Sequence, residues 1–452
     1  MMTPGSPQGD APPAGHDDAT AARAASRRAA DKQRQGLAWY LVQRPVFLGG
    51  NEATLMRGGT ELFPAMLRAI RGARREIWLA SYIFNNDALA FEVADALAQA
   101  AQRGIKVRVV VDGFGSKHCR RELEQRLKAG GLALAVFRPI ERWTHWLQPG
   151  QLRRLHMKLC TVDGEIAFIG GINLIDDHVD LRHGRTDAPR LDYAVQLRGP
   201  LVTAVEQVAR AMWSRAWYGR DWRQELRVLL SARQPLHELR RLLRQLRMPR
   251  RAAPDEPALT PVAAALVVRD NLRQRRTIER AHIEAMRRAR ERIWLVTPYF
   301  YPGADFRRAL RDAAERGVQV RLLLQGKVDY RLAALAARVL YQELMQHGVQ
   351  IHEYTPAFLH AKVMLVDRQW CTVGSSNIDP LSLLLNLEAN LVVQDEGFNR
   401  ELAADLEQAF ASSREVQHAE LRELGWVRLS RRAIVAWCAY IYLRVAGVTG
   451  RY

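Results

Sequence analysis

The sequence predicts an α/β fold that is built from two similar halves. Three observations support this prediction: a short motif occurs twice in one register, the segments before its two copies correspond, and helical segments alternate with strand-like segments in both halves. At 452 residues, the chain is also longer than a typical single domain. We therefore expect two related units rather than one.

The repeated motif contains a histidine, a lysine, an aspartate, a glycine and an asparagine at fixed spacing. Its two copies are His156, Lys158, Asp163, Gly170 and Asn173, and His360, Lys362, Asp367, Gly374 and Asn377. All five positions keep the same offset of 204 residues. One such pattern would be weak evidence because short motifs arise by chance, but two copies in register indicate one duplicated chemical unit.

Both copies carry lysine, although the basic residues of this chain are mostly arginine. Only seven of the 67 basic residues are lysines. The repeated choice indicates a need for a compact point charge on a flexible stem, which the planar fork of arginine does not replace. Two histidines, two lysines and paired carboxylates are sufficient for phosphoryl chemistry without a metal, so we expect no metal site and no cofactor.

Each copy of the motif is predicted to lie on a β-hairpin. In the first copy, apolar runs flank the turn pair Asp163-Gly164, and the second copy repeats this pattern around Asp367-Arg368. Residues i and i+2 of a strand face the same way, so His156 and Lys158 are expected to point together. Small residues follow each hairpin and let an anion approach the backbone closely.

The segments before the two motifs also correspond. Residues 73–79 parallel residues 289–295, and residues 103–109 parallel residues 316–322. In each half, a helical segment precedes an apolar strand, which is followed by another helix and another strand. This order is the β-α-β alternation of an α/β sheet.

These residues resemble the HxKxxxxD(x)6GxxN motif of the phospholipase D superfamily, and the resemblance covers both halves of the chain. Residues 166–171, 192–195 and 372–389 are similar to segments of bacterial cardiolipin synthases. The resemblance implies two phospholipase D-like α/β halves related by a pseudo-twofold axis. It also implies one active site at the seam between them.

The resemblance assigns a role to each candidate site residue. His156 is expected to be the nucleophile and His360 the general acid and base, because a neutral imidazole attacks phosphorus while an imidazolium protonates the leaving alkoxide. Their symmetry leaves the reverse order open. The residues expected to bind the non-bridging phosphate oxygens are Lys158, Lys362, Asn173, Asn377 and Ser375.

Carboxylates complete the predicted site. Asp192 and Glu388 lie at strand-like positions and resemble the acids that orient the family's histidines by holding the far ring nitrogen. Asp163 and Asp367 belong to the catalytic motif. Because both sit at hairpin turns, we expect them to be structural or orienting rather than direct phosphate contacts.

Charge indicates the class of partner. The formal net charge is +19 and the pI is about 10.3, which implies anionic lipid or nucleic acid. The resemblance favours the membrane surface and anionic phospholipids, namely phosphatidylglycerol and cardiolipin, and disfavours nucleic acid.

No run of about twenty apolar residues appears. We expect peripheral association with the cytoplasmic face of the bacterial cell membrane, and the oligomeric state stays open.

The remaining segments flank or join the halves, which we place at residues 37–215 and 263–415. Residues 1–36 predict a disordered tail. Residues 216–262 predict a basic amphipathic connector that grips lipid head groups or, alternatively, a linker helix packed on one half. Residues 416–452 predict a helix on the membrane surface, with a buried core helix as the alternative.

One more segment is predicted to approach lipid. The first half carries extra residues before its motif, at about 137–151, and this stretch is rich in tryptophan and arginine. It predicts an aromatic and basic lip over the site, because tryptophan prefers the membrane interface, or alternatively an ordinary packed loop.

The resemblance implies a cardiolipin synthase, which transfers a phosphatidyl group from one phosphatidylglycerol to another through a phosphatidyl-histidine intermediate and releases glycerol. The main alternative is a phosphodiesterase of the phospholipase D or nuclease type, with water as the acceptor. A catalytically silent membrane scaffold is disfavoured because both motifs are complete.

Overall fold

The computed structural model describes residues 45–132, 134–141, 151–181, 183–218, 262–270, 274–327, 340–379 and 386–418. The predicted tail at 1–36 lies outside these ranges. So do residues 142–150 of the predicted lip, most of the predicted connector and most of the predicted C-terminal membrane-surface segment. The predictions made for these segments stay predictions.

The first half alternates strands and helices. Its strands are β1 (Leu48–Arg57), β2 (Glu76–Ser81), β3 (Lys106–Asp112), β4 (Leu134–Phe137), β5 (Leu159–Val162), β6 (Ile166–Gly170), β7 (Val179–Asp180), β8 (Gly184–Arg185) and β9 (Tyr193–Arg198). Its helices are α1 (Gly58–Arg71), α2 (Ala88–Gln102), α3 (Arg120–Ala129) and α4 (Val202–Tyr218). Strands β2, β3 and β4 run parallel, with α2 and α3 as the crossover helices.

The second half repeats this order. Its strands are β10 (Val262–Arg269), β11 (Arg292–Thr297), β12 (Gln319–Gln325), β13 (Gln350–Tyr354), β14 (Val363–Val366), β15 (Trp370–Gly374), β16 (Glu388–Gln394) and β17 (Arg414–Glu415). Its helices are α5 (Thr277–Arg288), α6 (Ala304–Glu315) and α7 (Glu396–Ala411). Strands β11, β12 and β13 are again parallel.

One mixed sheet runs through both halves. Within the described ranges it has 15 strands, in the order β17-β13-β12-β11-β14-β15-β16-β10-β1-β9-β6-β5-β2-β3-β4. The antiparallel pair β1 and β10 lies at its centre, and equivalent strands follow in the same order on either side. This symmetry confirms the predicted α/β fold with two halves about a pseudo-twofold axis.

Each half has its own apolar core between its helices and the sheet. In the first half, Phe63 and Ile70 of α1 and Leu97 of α2 are buried. In the second half, Phe306 and Leu310 of α6 take part in a separate cluster. Apolar residues three and four apart form one face of these helices, which explains why they pack on the sheet. No helix in the described ranges is both long enough and apolar enough to cross a membrane.

Both predicted hairpins are present. Strand β5 pairs with β6, and β14 pairs with β15, with a turn at each motif aspartate. The first strand of each hairpin begins at Leu159 and at Val363, just after the motif histidine and lysine that were expected to lie on it. The residues just before it pair across the seam instead, where Leu155 bridges to Leu387 and Leu359 to Leu191. The motif histidines therefore lie at the seam, between the hairpin of one half and the backbone of the other.

Candidate active site

The backbone crosses between the halves on both sides of the site. The N–H of His156 donates to the carbonyl of Leu387 at 3.0 Å, and the N–H of His360 donates to the carbonyl of Leu191 at 2.9 Å. Leu387 directly precedes Glu388, and Leu191 directly precedes Asp192. Each carboxylate is thus carried to the histidine of the opposite half.

The crossed pairs hold both imidazole rings. His156 Nδ1 lies 3.0 Å from Glu388 Oε2, and His360 Nδ1 lies 2.6 Å from Asp192 Oδ2. Both carboxylates are buried. A carboxylate on Nδ1 fixes the tautomer that leaves the Nε2 lone pair available for chemistry. The sequence predicted that these two acids orient the histidines. It did not predict that each acid contacts the histidine of the opposite half.

Burial keeps the histidines neutral. It lowers the pKa of His156, and the charge of Glu388 only partly opposes this effect. It lowers the pKa of His360 well below its ordinary value, and the charge of Lys362 adds to the shift. Both rings therefore rest as neutral imidazoles at pH 7, which is the form that can attack phosphorus.

The two acids respond differently to the same burial. Burial raises the pKa of Asp192 to about 6, although Lys362 opposes it. For Glu388 the burial effect is outweighed by His156 and Lys158, so its pKa lies below the ordinary value. Glu388 is thus held as a carboxylate beside His156, which favours a positive charge on that ring.

The two motif lysines lie inside the site. Lys158 Nζ donates to the carbonyl of His156 at 2.7 Å, and Lys362 Nζ donates to the carbonyl of His360. Both side chains are buried. Burial lowers the pKa of Lys158 to about 8 and that of Lys362 to about 7. An anion bound between them would favour the charged ammonium form of both.

Ser375 and Gly171 are equivalent positions that support the acids in different ways. The Ser375 hydroxyl donates to Glu388 Oε2 at 2.5 Å, and the Ser375 carbonyl lies 3.1 Å from His156 Nδ1. Gly171 has no side chain, and a Cβ there would overlap the Asp192 carboxylate. The hydroxyl of Ser375 therefore joins the network that orients His156; its predicted contact with phosphate stays a prediction.

Replacement of Gly171 by alanine is expected to lower the turnover rate by about 10²-fold, because the new methyl group pushes Asp192 away from His360 and misplaces the ring. Ser375→Ala is the matched control at the equivalent position. It removes one hydrogen bond without overlap, and a loss of about tenfold is expected. Steady-state kinetics of the two variants check this difference. Equal losses would contradict the proposed steric cause.

The motif asparagines differ in their contacts. Asn173 Oδ1 accepts the N–H of Ile83 at 3.3 Å, which ties the end of the first hairpin to the chain after β2. Asn377 is buried, and its Oδ1 has no hydrogen-bond partner among the described residues. This oxygen is a hydrogen-bond acceptor, so it suits a ligand hydroxyl, and the predicted contact between Asn377 and phosphate stays a prediction.

The motif aspartates lie at the far ends of the hairpins. Asp163 accepts the backbone N–H groups of residues 74–76 at 2.7 to 2.9 Å, and Asp367 accepts those of residues 290–292 at 2.8 to 3.2 Å. Both have left-handed backbone with φ of 52°. Each aspartate thus fastens a hairpin turn to the start of the neighbouring strand. This geometry supports a structural role for both aspartates, which stays a prediction.

Sequence reasoning missed a pair of residues that hold the histidine segments. Asp112 Oδ2 accepts the N–H of Leu155 at 2.8 Å, and Gln325 Oε1 accepts the N–H of Leu359 at 2.8 Å. Both acceptors end equivalent strands, β3 and β12. Alignment of the two halves beyond the motif would have placed them at equivalent positions. Tyr82, whose ring centroid lies 4.7 Å from that of His156, was also missed.

The chemistry available at this site comes from the side chains just described. Among the described residues, no group of three or more histidine, cysteine, aspartate or glutamate side chains is placed to hold a metal ion. The arrangement supplies two neutral nucleophilic or basic rings, each backed by a carboxylate, around two buried ammonium groups. Such a set can bind a phosphodiester anion and exchange one ester oxygen for another.

Known proteins are similar in sequence to this chain over most of its length. Residues 66–184 and 282–413 match the family model for the cardiolipin synthase, PLD-like domain. The chain is 34% identical to cardiolipin synthase B of Escherichia coli strain K12 in an alignment of 401 residues. This alignment covers 87% of this chain and 88% of that protein. It is 31% identical over 376 residues to cardiolipin synthase A of Pseudomonas fluorescens, with 83% and 72% covered.

A solved structure shares the fold. Phosphatidylserine synthase of Haemophilus influenzae superimposes with a TM-score of 0.60 over 90% of this chain and 97% of that one, at 14% sequence identity. At this identity the likeness supports the fold alone. The family model and the sequence relatives show that the chain is a phosphatidyltransferase of the cardiolipin synthase family in the phospholipase D superfamily.

Proposed function

We propose that this enzyme makes cardiolipin from two molecules of phosphatidylglycerol and releases glycerol, through a phosphatidyl group carried on His156. The crossed pairs carry the proposal: Glu388 holds His156 and Asp192 holds His360, each from the opposite half, and both motif lysines are buried against the histidine backbone. The relatives named cardiolipin synthase B and cardiolipin synthase A support the choice of lipid.

In the first step, Nε2 of His156 attacks the phosphorus of the donor lipid. The bond between phosphorus and the head-group glycerol oxygen breaks, and His360 gives its proton to that oxygen. His360 acquires this proton when the substrate binds, because an adjacent phosphodiester anion stabilises the imidazolium. Lys158 and Lys362 stabilise the charge on the non-bridging oxygens.

In the second step, a hydroxyl of the second phosphatidylglycerol replaces glycerol. His360, now neutral, takes the proton from this hydroxyl while its oxygen attacks phosphorus. The bond between phosphorus and His156 breaks, so the ring returns to its starting form. Cardiolipin leaves, and His360 gives this proton to solvent and returns to its neutral resting form until the next donor lipid binds.

Two features favour His156 as the nucleophile. A phosphorylated imidazole is positively charged, and Glu388, whose pKa is lowered, supplies a fixed negative charge beside it. The His360 side chain is 22% exposed, compared with 10% for His156, so it exchanges protons with solvent more readily. A proton-transfer role therefore suits His360.

We also propose that the enzyme acts as a peripheral protein on the cytoplasmic face of the bacterial cell membrane. The net charge of +19 supports attraction to anionic lipid head groups. The substrate and product of the proposed reaction are themselves anionic phospholipids, so the same charge serves both association with the membrane and capture of substrate.

The pH dependence follows from the buried lysines. Their pKa values of about 8 and about 7 mean that they lose charge as the pH rises through this range. We therefore expect kcat/KM for a short-chain phosphatidylglycerol to fall as the pH rises above about 7. The histidines have lowered pKa values, so activity is expected to persist below the ordinary histidine pKa of 6.5. A profile that stays flat up to the ordinary lysine pKa of 10.5 would contradict this account.

The direct test is incubation of the purified protein with phosphatidylglycerol vesicles, with lipids and glycerol resolved by mass spectrometry. Cardiolipin with one glycerol released per molecule is the expected result. Phosphatidic acid as the main product would show that water is the acceptor and would overturn the proposed transfer between lipids.

A further inference from the structure

The first half contains a group of arginines beside His156 that the catalytic steps do not use. We define the arginine cluster as Arg138, which follows β4, and Arg153 and Arg154, which precede the motif. Arg154 lies two residues before His156, and its carbonyl accepts the N–H of Leu387 at the seam. The cluster therefore adjoins the catalytic site.

The cluster has buried donors without partners. Arg154 is 8% exposed, and its Nη1 reaches the carbonyl of Arg138 at 3.2 Å and Asp112 Oδ1 at 3.5 Å. Nη2 of Arg154 and Nη1 of Arg138 are buried and have no hydrogen-bond partner among the described residues. An unpaired charged donor is costly to bury, so a site that keeps two of them is suited to an anion.

The backbone at Arg138 supports a ligand role. Arg138 has a φ of +45°, in the left-handed region that side chains other than glycine seldom adopt. Strained backbone of this kind persists only where the surrounding structure holds it in place, and it is often found at ligand sites. Here the conformation accompanies the contact between the Arg138 carbonyl and the Arg154 guanidinium.

Positive charge exceeds negative charge in the cluster. Burial and then the charges of Arg153 and Arg154 lower the pKa of Arg138 to about 10, and Asp112 opposes them only partly. Asp112, the one carboxylate that opposes these charges, already accepts hydrogen bonds from the backbone N–H groups of Phe114, Gly115 and Leu155. A bound anion would relieve the repulsion among the arginines.

Comparison of equivalent positions in the two halves distinguishes the arginine cluster from the catalytic residues. The register of the parallel strands pairs Asp112 with Phe137 and Gln325 with Tyr354, so Thr355 is the second-half counterpart of Arg138. The counterparts of Arg153 and Arg154 are Ala357 and Phe358. The catalytic residues are duplicated, but the three arginines are replaced by uncharged residues at the equivalent positions of the second half. Such asymmetry suits recognition of one of two substrates rather than catalysis.

The surroundings suit a lipid rather than a free ion. Phe114 is 41% exposed, and its ring centre lies 6.0 Å from the Arg154 guanidinium carbon. It follows β3, at the sheet edge where β4 leads into Arg138. An exposed aromatic ring beside cationic donors matches a molecule with an apolar body and an anionic head.

We propose that the arginine cluster binds the phosphate of the second phospholipid, the acceptor, and so holds its free hydroxyl near His156. This inference rests on the proposed function. It explains how a site with one pair of catalytic histidines selects an anionic lipid as acceptor over water: the acceptor phosphate neutralises charge that water cannot.

The double variant Arg138→Gln and Arg153→Gln tests this role, because it removes two charges and leaves Arg154 and its backbone contacts in place. With phosphatidylglycerol vesicles, we expect cardiolipin formation to fall about tenfold more than glycerol release, with phosphatidic acid in its place. Arg288→Gln, at an exposed position in the second half, is the matched control and should change neither rate. A parallel loss of cardiolipin and glycerol release would overturn the proposal.

A binding measurement separates this proposal from the proposed function. Calorimetric titration of the wild-type protein with inorganic phosphate should show one site more per chain than titration of the double variant. Equal stoichiometry and affinity would overturn the cluster as a phosphate site. If the double variant lacks this phosphate site and the wild type forms no cardiolipin, the cluster is confirmed as a phosphate site and the proposed function fails.

Discussion

Replacement of either motif histidine by alanine is expected to lower transfer by at least about 10⁴-fold, because each variant lacks one of two groups that act as a unit. Both variants should keep the fold, since each ring lies at the seam rather than in an apolar core. His347→Ala is the control: this histidine also pairs with a carboxylate, that of Glu315, but on the surface of the second half. Its activity should match the wild type.

A substrate with a good leaving group distinguishes the two histidines. A phosphatidyl ester of a nitrophenol needs little proton donation, so His360→Ala should still release nitrophenol in a burst. His156→Ala should release none, because no nucleophile remains. Stopped-flow absorbance follows the burst. Strong turnover of phosphatidylglycerol by both variants would rule out a mechanism that uses the two histidines.

Glu388→Gln is expected to behave like His156→Ala, although Glu388 belongs to the other half. The carboxylate holds Nδ1 of His156 at 3.0 Å, and its loss removes both the tautomer and the negative charge that favour attack. We expect a fall in kcat of about 10³- to 10⁴-fold, without a burst from the nitrophenyl ester. Asp192→Asn should instead resemble His360→Ala and keep the burst.

This comparison of paired variants tests the crossing itself. If His156→Ala abolished the burst while Glu388→Gln kept it and Asp192→Asn lost it, each acid would serve the histidine of its own half. Circular dichroism and thermal unfolding of both variants provide the control for folding. A variant that melts as the wild type does but changes its burst reports on the site alone.

Local sequence patterns were enough to predict several parts of the structure. The two hairpins, the alternation of helices and strands, and the division into two related halves all appear in the structure. Asp163 and Asp367 could be placed at turns because Asp-Gly and Asp-Arg follow apolar runs. Such features depend on neighbours close along the chain, which is why periodicity and turn residues reveal them.

Contacts across the seam could not be predicted in this way. The exchange of Asp192 and Glu388 depends on the central pair β1 and β10 and on the bridges at Leu155 and Leu359, which join residues far apart in sequence. Side-chain periodicity carries no information on which half supplies a partner. The late start of β5 has the same cause, because residues before Leu159 pair with the other half.

Asp112 and Gln325 were missed for another reason. Their side chains differ in charge, so a search for repeated motif letters does not find them. They share only the position at the end of equivalent strands and the ability to accept a backbone N–H. The structure identifies them by geometry. Their equivalence also aligns the two halves, and this alignment shows that the arginine cluster is not duplicated.

The most direct test of the central claim is to trap the covalent intermediate on His156. His360→Ala is mixed with the nitrophenyl ester, quenched in alkaline denaturant because phosphohistidine is labile in acid, digested and mapped by mass spectrometry. The mechanism predicts a phosphatidyl group on the peptide that contains His156, in an amount equal to the nitrophenol burst. A burst without any adduct on His156 would contradict it.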